Sequence, residues 1–315
     1  MLMPVIIAFS VILLIAMLVL ITSYICFRRV FYFKNPGPVK DGEFDYPVGK
    51  IYEPYREEMK DWQIRLSEIP YRSFEIRSFD GLRLCARYYE CMPGAPIELM
   101  FHGYQGNSIR DLSGGVFRAF KLCHNVLLID HRAAGASEGS IITFGINEHR
   151  DCLKWIDVAR KTFGEDVRLI LTGVSMGAAT VMTASGCDLP ENVRYILADC
   201  GYSTAKDIIK KVIHEMKLPE NILYPFVKLG ARIFGKFDLE ETSPLEGVKN
   251  SKTPILFIHG DNDDYVPCDM SRELYEACAS EKKFVVSPGA GHGLAYSENK
   301  ELYLSALCEF DEKYC

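Results

Sequence analysis

No surplus of positive charge, no Cys-x-x-Cys pair, no internal repeat and no low-complexity run appears in this 315-residue chain. With 36 Lys and Arg against 42 Asp and Glu, the formal net charge is -6, so no basic footprint exists for nucleic acid. Eleven cysteines, an odd number without paired spacing, make neither a disulfide framework nor a zinc site. They read as mostly reduced, buried small hydrophobes. At this length and 48% hydrophobic, the chain can build one full core with little left for a second large domain.

Charge is also missing from residues 1–27. That stretch is long enough to cross a bilayer core, which takes roughly 20 apolar residues. A cleaved signal fits poorly, because the positive n-region is missing and no small-x-small site precedes the charges. Arg28, Arg29 and Lys34 follow the span, which predicts a single-pass membrane anchor with the rest of the chain cytoplasmic. Phe31, Tyr32 and Phe33 suit the headgroup level as an aromatic belt. Residues 28–70 form a polar connector bearing Pro36, Pro38, Pro47 and Pro54, with a helical candidate over 55–66. Its Tyr52, Tyr55, Trp62 and Ile64 predict packing along the domain edge.

Residues 71–315 make the main domain. Segments 72–79 and 82–89 around Asp80-Gly81 read as an antiparallel hairpin. Short unbroken apolar runs at 97–101, 125–129, 168–171, 193–197, 255–258 and 284–286 then alternate with helical segments such as 148–163. That alternation predicts an α/β fold, a mostly parallel central sheet with helices on both faces. Ligands in such sheets sit at the carboxyl ends of the strands.

Beyond one strand end lies Gly173-Val174-Ser175-Met176-Gly177, between an apolar run and small residues that can start a helix. A serine hydroxyl is a weak nucleophile unless a tight turn presents it to a base and to oxyanion donors. Gly173 and Gly177 permit the close strand–helix crossing that such a turn requires. His292, in Gly289-Ala290-Gly291-His292-Gly293 after the last run, is the best-placed base. His214 falls in a probable helix, and His259 precedes the best acids. For the acid, Asp261, Asp263 and Asp264 all follow His259, and Asp199 is a rival. An EF-hand would need a sixth-position glycine and a twelfth-position glutamate that this acidic run lacks. The oxyanion hole calls for backbone N–H groups of Met176 and of Tyr104 in His102-Gly103-Tyr104-Gln105-Gly106. His102 itself reads as a structural loop residue.

Taken together with residues 130–139, Asp-His-Arg-Ala-Ala-Gly-Ala-Ser-Glu-Gly, these stretches resemble the α/β-hydrolase superfamily over about residues 72–314. The chain is also similar to membrane-anchored bacterial serine hydrolases of the serine aminopeptidase-like and Bem46-like groups. The resemblance implies Asp263 as the acid, the fifth position of His-Gly-x-x-Asp-x-x-Val-Pro, with His292 as base and Ser175 as nucleophile. It leaves Ser137 in a structural turn and implies a small helical cap over about 202–250, whose apolar side chains either line an acyl pocket or pack the cap onto the body. The expected activity is cleavage of carboxyl ester or thioester bonds, on a small-molecule or lipid-like acyl substrate, without cofactor or metal. Alternatives are an aminopeptidase-like amide hydrolase and a non-catalytic membrane-tethered binding module.

Overall fold

The computed structural model describes residues 2–40 and 42–315; Met1, counted in the expected anchor, and Asp41, in the connector, lie outside the described residues. Strands β1 (Arg72–Arg77) and β2 (Arg83–Tyr89) pair antiparallel. Then come β3 (Ile97–Phe101), β4 (Asn125–Ile129), β5 (Leu169–Val174), β6 (Val193–Asp199), β7 (Ile255–Gly260) and β8 (Lys282–Ser287). All eight form one sheet in the order β1-β2-β4-β3-β5-β6-β7-β8, parallel from β4 to β8. The β1–β2 connection is not a two-residue Asp-Gly turn. It spans 78–82, closed by the Ser78 N–H on Leu82 O at 2.9 Å, with Gly81 at φ 90°.

Both faces of the sheet are covered, which is why its strands lack polar alternation. On one face, Leu99, Phe101, Leu127 and Leu171 pack under α4 (Glu148–Phe163) and α5 (Met176–Ser185). On the other, Met100, Val126 and Leu128 meet α3 (Ser108–Lys121), while Tyr195 and Leu197 meet α11 (Lys300–Tyr314). The Asn107 side chain caps α3 by accepting the Arg110 N–H at 2.9 Å, and Gly164 at φ 111° ends α4.

Two further parts lie against this body. Helix α1 (Leu2–Val30) is apolar and long enough to cross a membrane. Residues 3–18 are exposed, whereas Ser23, Phe27 and Phe31 are buried. They pack on α7 (Glu220–Gly230), Ser23 against Gly230 and the two phenylalanines in a cluster with Tyr224 and Val227 that extends to Ile208 and Ile209 of α6 (Ala205–Glu215). Among the connector's residues, α2 (Arg56–Ser67) lays Trp62 over Gly114 of α3 and stacks it on Tyr296 at 6.1 Å. All eleven cysteines are free, as expected, but only Cys85, Cys152, Cys200 and Cys278 are buried. The expectation that they would mostly be interior fails because several, including Cys91, Cys123 and Cys187, fall on connections at the surface.

Candidate active site

Ser175 sits at the turn from β5 into α5 with φ 57° and ψ -116°, a conformation that costs an L-residue of order 1–3 kcal/mol and survives only where its surroundings enforce it. The enforcement is visible. The Ser175 N–H is held by Asp199 O at 2.8 Å. A Cβ on Gly173 would lie 2.2 Å from Gly177 O, and one on Gly177 would lie 2.0 Å from Phe101 O. Neither glycine can carry a side chain, because helix and strands cross at backbone contact.

The loop after β8 brings His292 to this serine. His292 Nε2 lies 2.9 Å from Ser175 Oγ, and Nδ1 lies 2.6 Å from Asp263 Oδ2. A carboxylate only accepts, so Nδ1 carries the ring proton and Nε2 is left to accept the serine hydroxyl. Asp263 is itself fixed on its other oxygen, where Oδ1 accepts the N–H groups of Tyr265 at 2.9 Å and Val266 at 2.8 Å. Burial would raise this carboxyl, but hydrogen bonds from His259 and His292 and their attraction outweigh it and hold it well below the usual carboxylate range.

The rival acids have other tasks. Asp261 Oδ1 accepts the Gly289 N–H at 2.6 Å, and Asp264 is exposed. Asp199 is buried and accepts the Tyr303 hydroxyl at 3.0 Å, while burial pushes its pKa up to about 6. His259, which sequence reasoning set aside, belongs to the surroundings of the acid. Its Nε2–H faces Val266 O at 2.8 Å and Asp263 Oδ2 at 3.2 Å, and its Nδ1 meets Ser271 Oγ at 2.6 Å. Its place four residues before Asp263 in the same motif was the available signal.

On the far side of Ser175, the loop after β3 is stiffened by side chains. The Gly103 N–H donates to Asp111 Oδ2 at 3.0 Å, and His102 Nε2 accepts the His131 N–H at 3.0 Å. His102 is therefore a loop brace, as the sequence suggested. Ser137 is spent in the same way, donating to Asp130 O at 2.7 Å and accepting the Cys85 N–H at 2.9 Å. Among the described residues the Tyr104 N–H has no acceptor. Met176 is the first residue of α5, so its N–H lacks an intrahelical acceptor.

A cavity of about 600 Å³ opens beside Ser175 and His292. Its wall includes Tyr52, Trp62, Tyr104, Asp199, Tyr265 and Tyr303. Among the described residues none from 202–250 reaches it, so the cap does not line this pocket. The cap's apolar side chains are used against α1 and the body, and the connector takes the place of the pocket wall.

Residues 143–315 match the model of the prolyl oligopeptidase family, more than half of the chain. YqkD of Bacillus subtilis, an uncharacterized protein, is 28% identical over 187 residues, which are 59% of this chain and 61% of that protein. The chain thus spans less than two-thirds of that relative's length. Protein bem46 of Schizosaccharomyces pombe is 25% identical over 223 residues, 68% of this chain and 67% of that protein. Among solved structures, the esterase Pf2001 of Pyrococcus furiosus superposes with a TM-score of 0.64 at 22% identity, covering 90% of this chain and 99% of that one. At that identity the likeness speaks for the fold. With the sheet order above and the family match over more than half its length, the chain belongs to the prolyl oligopeptidase family within the α/β-hydrolase superfamily.

Proposed function

We propose that this protein is a membrane-anchored serine hydrolase that cleaves carboxyl ester or thioester bonds through Ser175, His292 and Asp263. The observation that carries this is the relay of Ser175 Oγ, His292 and Asp263 at 2.9 and 2.6 Å, with the proton on the nitrogen facing the acid. His292 Nε2 takes the hydroxyl proton as Ser175 Oγ bonds the acyl carbon, and Asp263 stabilises the imidazolium that forms. The N–H groups of Tyr104 and Met176 receive the oxyanion, each worth about 10²–10³ in rate. Collapse breaks the bond to the leaving oxygen or sulfur, which takes the proton from His292. Water then attacks the acyl-serine, giving its proton to His292, and release of the acid returns that proton to Ser175. One water is consumed per turnover, and with it the electrons and protons balance.

Residues 1–27 serve as the anchor, 28–70 as the connector and 71–315 as the catalytic domain with a cap over about 202–250. The domain lies on the cytoplasmic side, as Arg28 and Arg29 at the end of α1 favour. Tethering presents the cavity to small or lipid-like acyl substrates. An amide-cleaving, peptidase reading is second, favoured by the prolyl oligopeptidase match. A panel of acyl esters, acyl thioesters and aminoacyl amides, run on wild-type and Ser175→Ala full-length chain, tests both. Ester or thioester turnover abolished in the alanine variant is expected. Turnover confined to amides selects the second reading, and turnover that survives Ser175→Ala rejects the serine mechanism.

A further inference from the structure

We propose that the side chain of Tyr104 ties the oxyanion loop to the last turn of α1, so that the membrane helix is a working part of the active site as well as its tether. This positioning role rests on Ser175 being the nucleophile and the Tyr104 N–H an oxyanion donor.

The tie is direct. Tyr104 Oη donates to Val30 O at 2.7 Å. Val30 is the final residue of α1, where carbonyls lack intrahelical donors, so the tyrosine supplies what the helix end needs. Gln105 Nε2 donates to the same hydroxyl at 3.0 Å, and the Tyr104 ring lies 5.0 Å from that of Phe144. Phe144 in turn meets Phe31 edge-on at 5.9 Å.

The helix end is fixed firmly enough to act as an anchor point. Phe31 is 1% exposed, its carbonyl accepts the Ile142 N–H at 2.8 Å, and the Phe33 N–H donates to Ser140 O at 2.9 Å. Asn35 Nδ2 donates to Gly135 O at 3.0 Å and to Ser137 O at 3.1 Å. On the cap side, a Cβ on Gly230 would lie 2.4 Å from Ser23 O, so α1 and α7 touch backbone to backbone.

The oxyanion loop needs that point. Gly103 is pinned by Asp111, but Gln105 holds a left-handed φ of 52°, and the intervening Tyr104 has no backbone acceptor among the described residues. What aims its N–H is the side chain. Removing the hydroxyl frees the loop to rotate away from the serine, which weakens oxyanion stabilisation while leaving the cavity that binds the acyl chain in place.

The test uses the full-length chain in lipid nanodiscs with p-nitrophenyl acyl esters. Tyr104→Phe deletes one atom, and kcat should fall about 5- to 10-fold, the worth of one neutral hydrogen bond or slightly more, with KM within twofold. Phe31→Leu should lower kcat in the same sense by loosening the helix end, and the double variant should lose less than the product of the two single losses, because both act through one contact. An unchanged kcat in Tyr104→Phe overturns the proposal, as does a multiplicative double variant. If Ser175→Ala retains turnover, the nucleophile assignment fails and this role with it. An inert Ser175→Ala beside an unimpaired Tyr104→Phe sinks the tie alone.

Discussion

Replacing Asp263 with asparagine is a sharper perturbation than removing it, because the site dictates which way the amide must face. The Tyr265 and Val266 N–H groups both donate to Oδ1, so the amide oxygen is drawn to that position and the NH2 group is sent to the place of Oδ2. There it confronts His292 Nδ1, 2.6 Å away in the native site, and donates to it. A nitrogen that accepts cannot carry the proton, so the ring is driven to the tautomer protonated at Nε2. That nitrogen then faces Ser175 Oγ as a donor and cannot take its proton. The variant keeps size and fold and loses the base. In a serine–histidine–acid arrangement the wrong tautomer costs about 10⁴ in kcat, or about 5.5 kcal/mol of barrier. Asp263→Ala lets the ring choose its tautomer, so it should retain more activity than Asp263→Asn. Turnover of an activated ester and the rate of fluorophosphonate labelling read the difference, with thermal unfolding as a check on folding. Asparagine activity within tenfold of wild type would refute the proposed proton placement.

Three more outcomes follow from the packing and the charges. Gly177→Ala should give little folded protein, since its Cβ would run into the backbone carbonyls of Phe101 and His102, and soluble yield with unfolding temperature would show it. Trp62→Ala removes a cavity wall supplied by the connector, and should shift KM across an acyl-chain-length series while leaving kcat on the shortest ester nearly unchanged. The third concerns the buried cluster of Glu98, Arg118 and His124. Burial opposes ionisation of both Glu98 and His124. The Arg118 charge and the His124 hydrogen bond nevertheless bring Glu98 down to about 2 from 4.5, and hydrogen bonds to Asp311 and Glu98 bring His124 up to about 9 from 6.5. The depressed acid stabilises above pH 4.5 and loses that as pH falls toward 2, while the raised histidine stabilises below pH 6.5 and loses that as pH rises through 9. Each limb is worth about 3 kcal/mol at about 1.4 kcal/mol per unit, shared between the partners. Unfolding temperature against pH should therefore plateau between those limits, and Glu98→Gln should flatten both limbs; equal slopes in the two proteins would rule the cluster out as their cause.

Much of the fold could be read from local pattern. The segments 97–101 and 125–129 became β3 and β4 without change, because strands buried on both faces are apolar except where a polar side chain such as Glu98 is paired, here by Arg118 and His124. Helix α4 was legible to the residue because Gly164, at φ 111°, stops it. At the candidate site, the elbow and the glycine-flanked His292 stood out because their chemistry needs small neighbours. Choosing Asp263 from three nearby carboxylates was beyond local sequence, as the decision lies in which one the Tyr265 and Val266 amides and His292 converge on. The pocket wall was equally hidden. Trp62 reaches it by packing on Gly114 and Tyr296, contacts between segments far apart in the chain. Nor did composition show the seat of α1, whose residues are apolar all around. What selects the buried stripe is the small Ser23 opposite Gly230 and the aromatic cluster beyond it.

Whether Ser175 is an activated nucleophile is best tested by treating the full-length chain in detergent micelles with a fluorophosphonate probe and mapping the modified peptide by mass spectrometry. A single adduct on Ser175, lost in Ser175→Ala and His292→Ala, is the predicted result. Folded wild-type protein that carries no adduct, or carries it on another serine, would contradict the assignment.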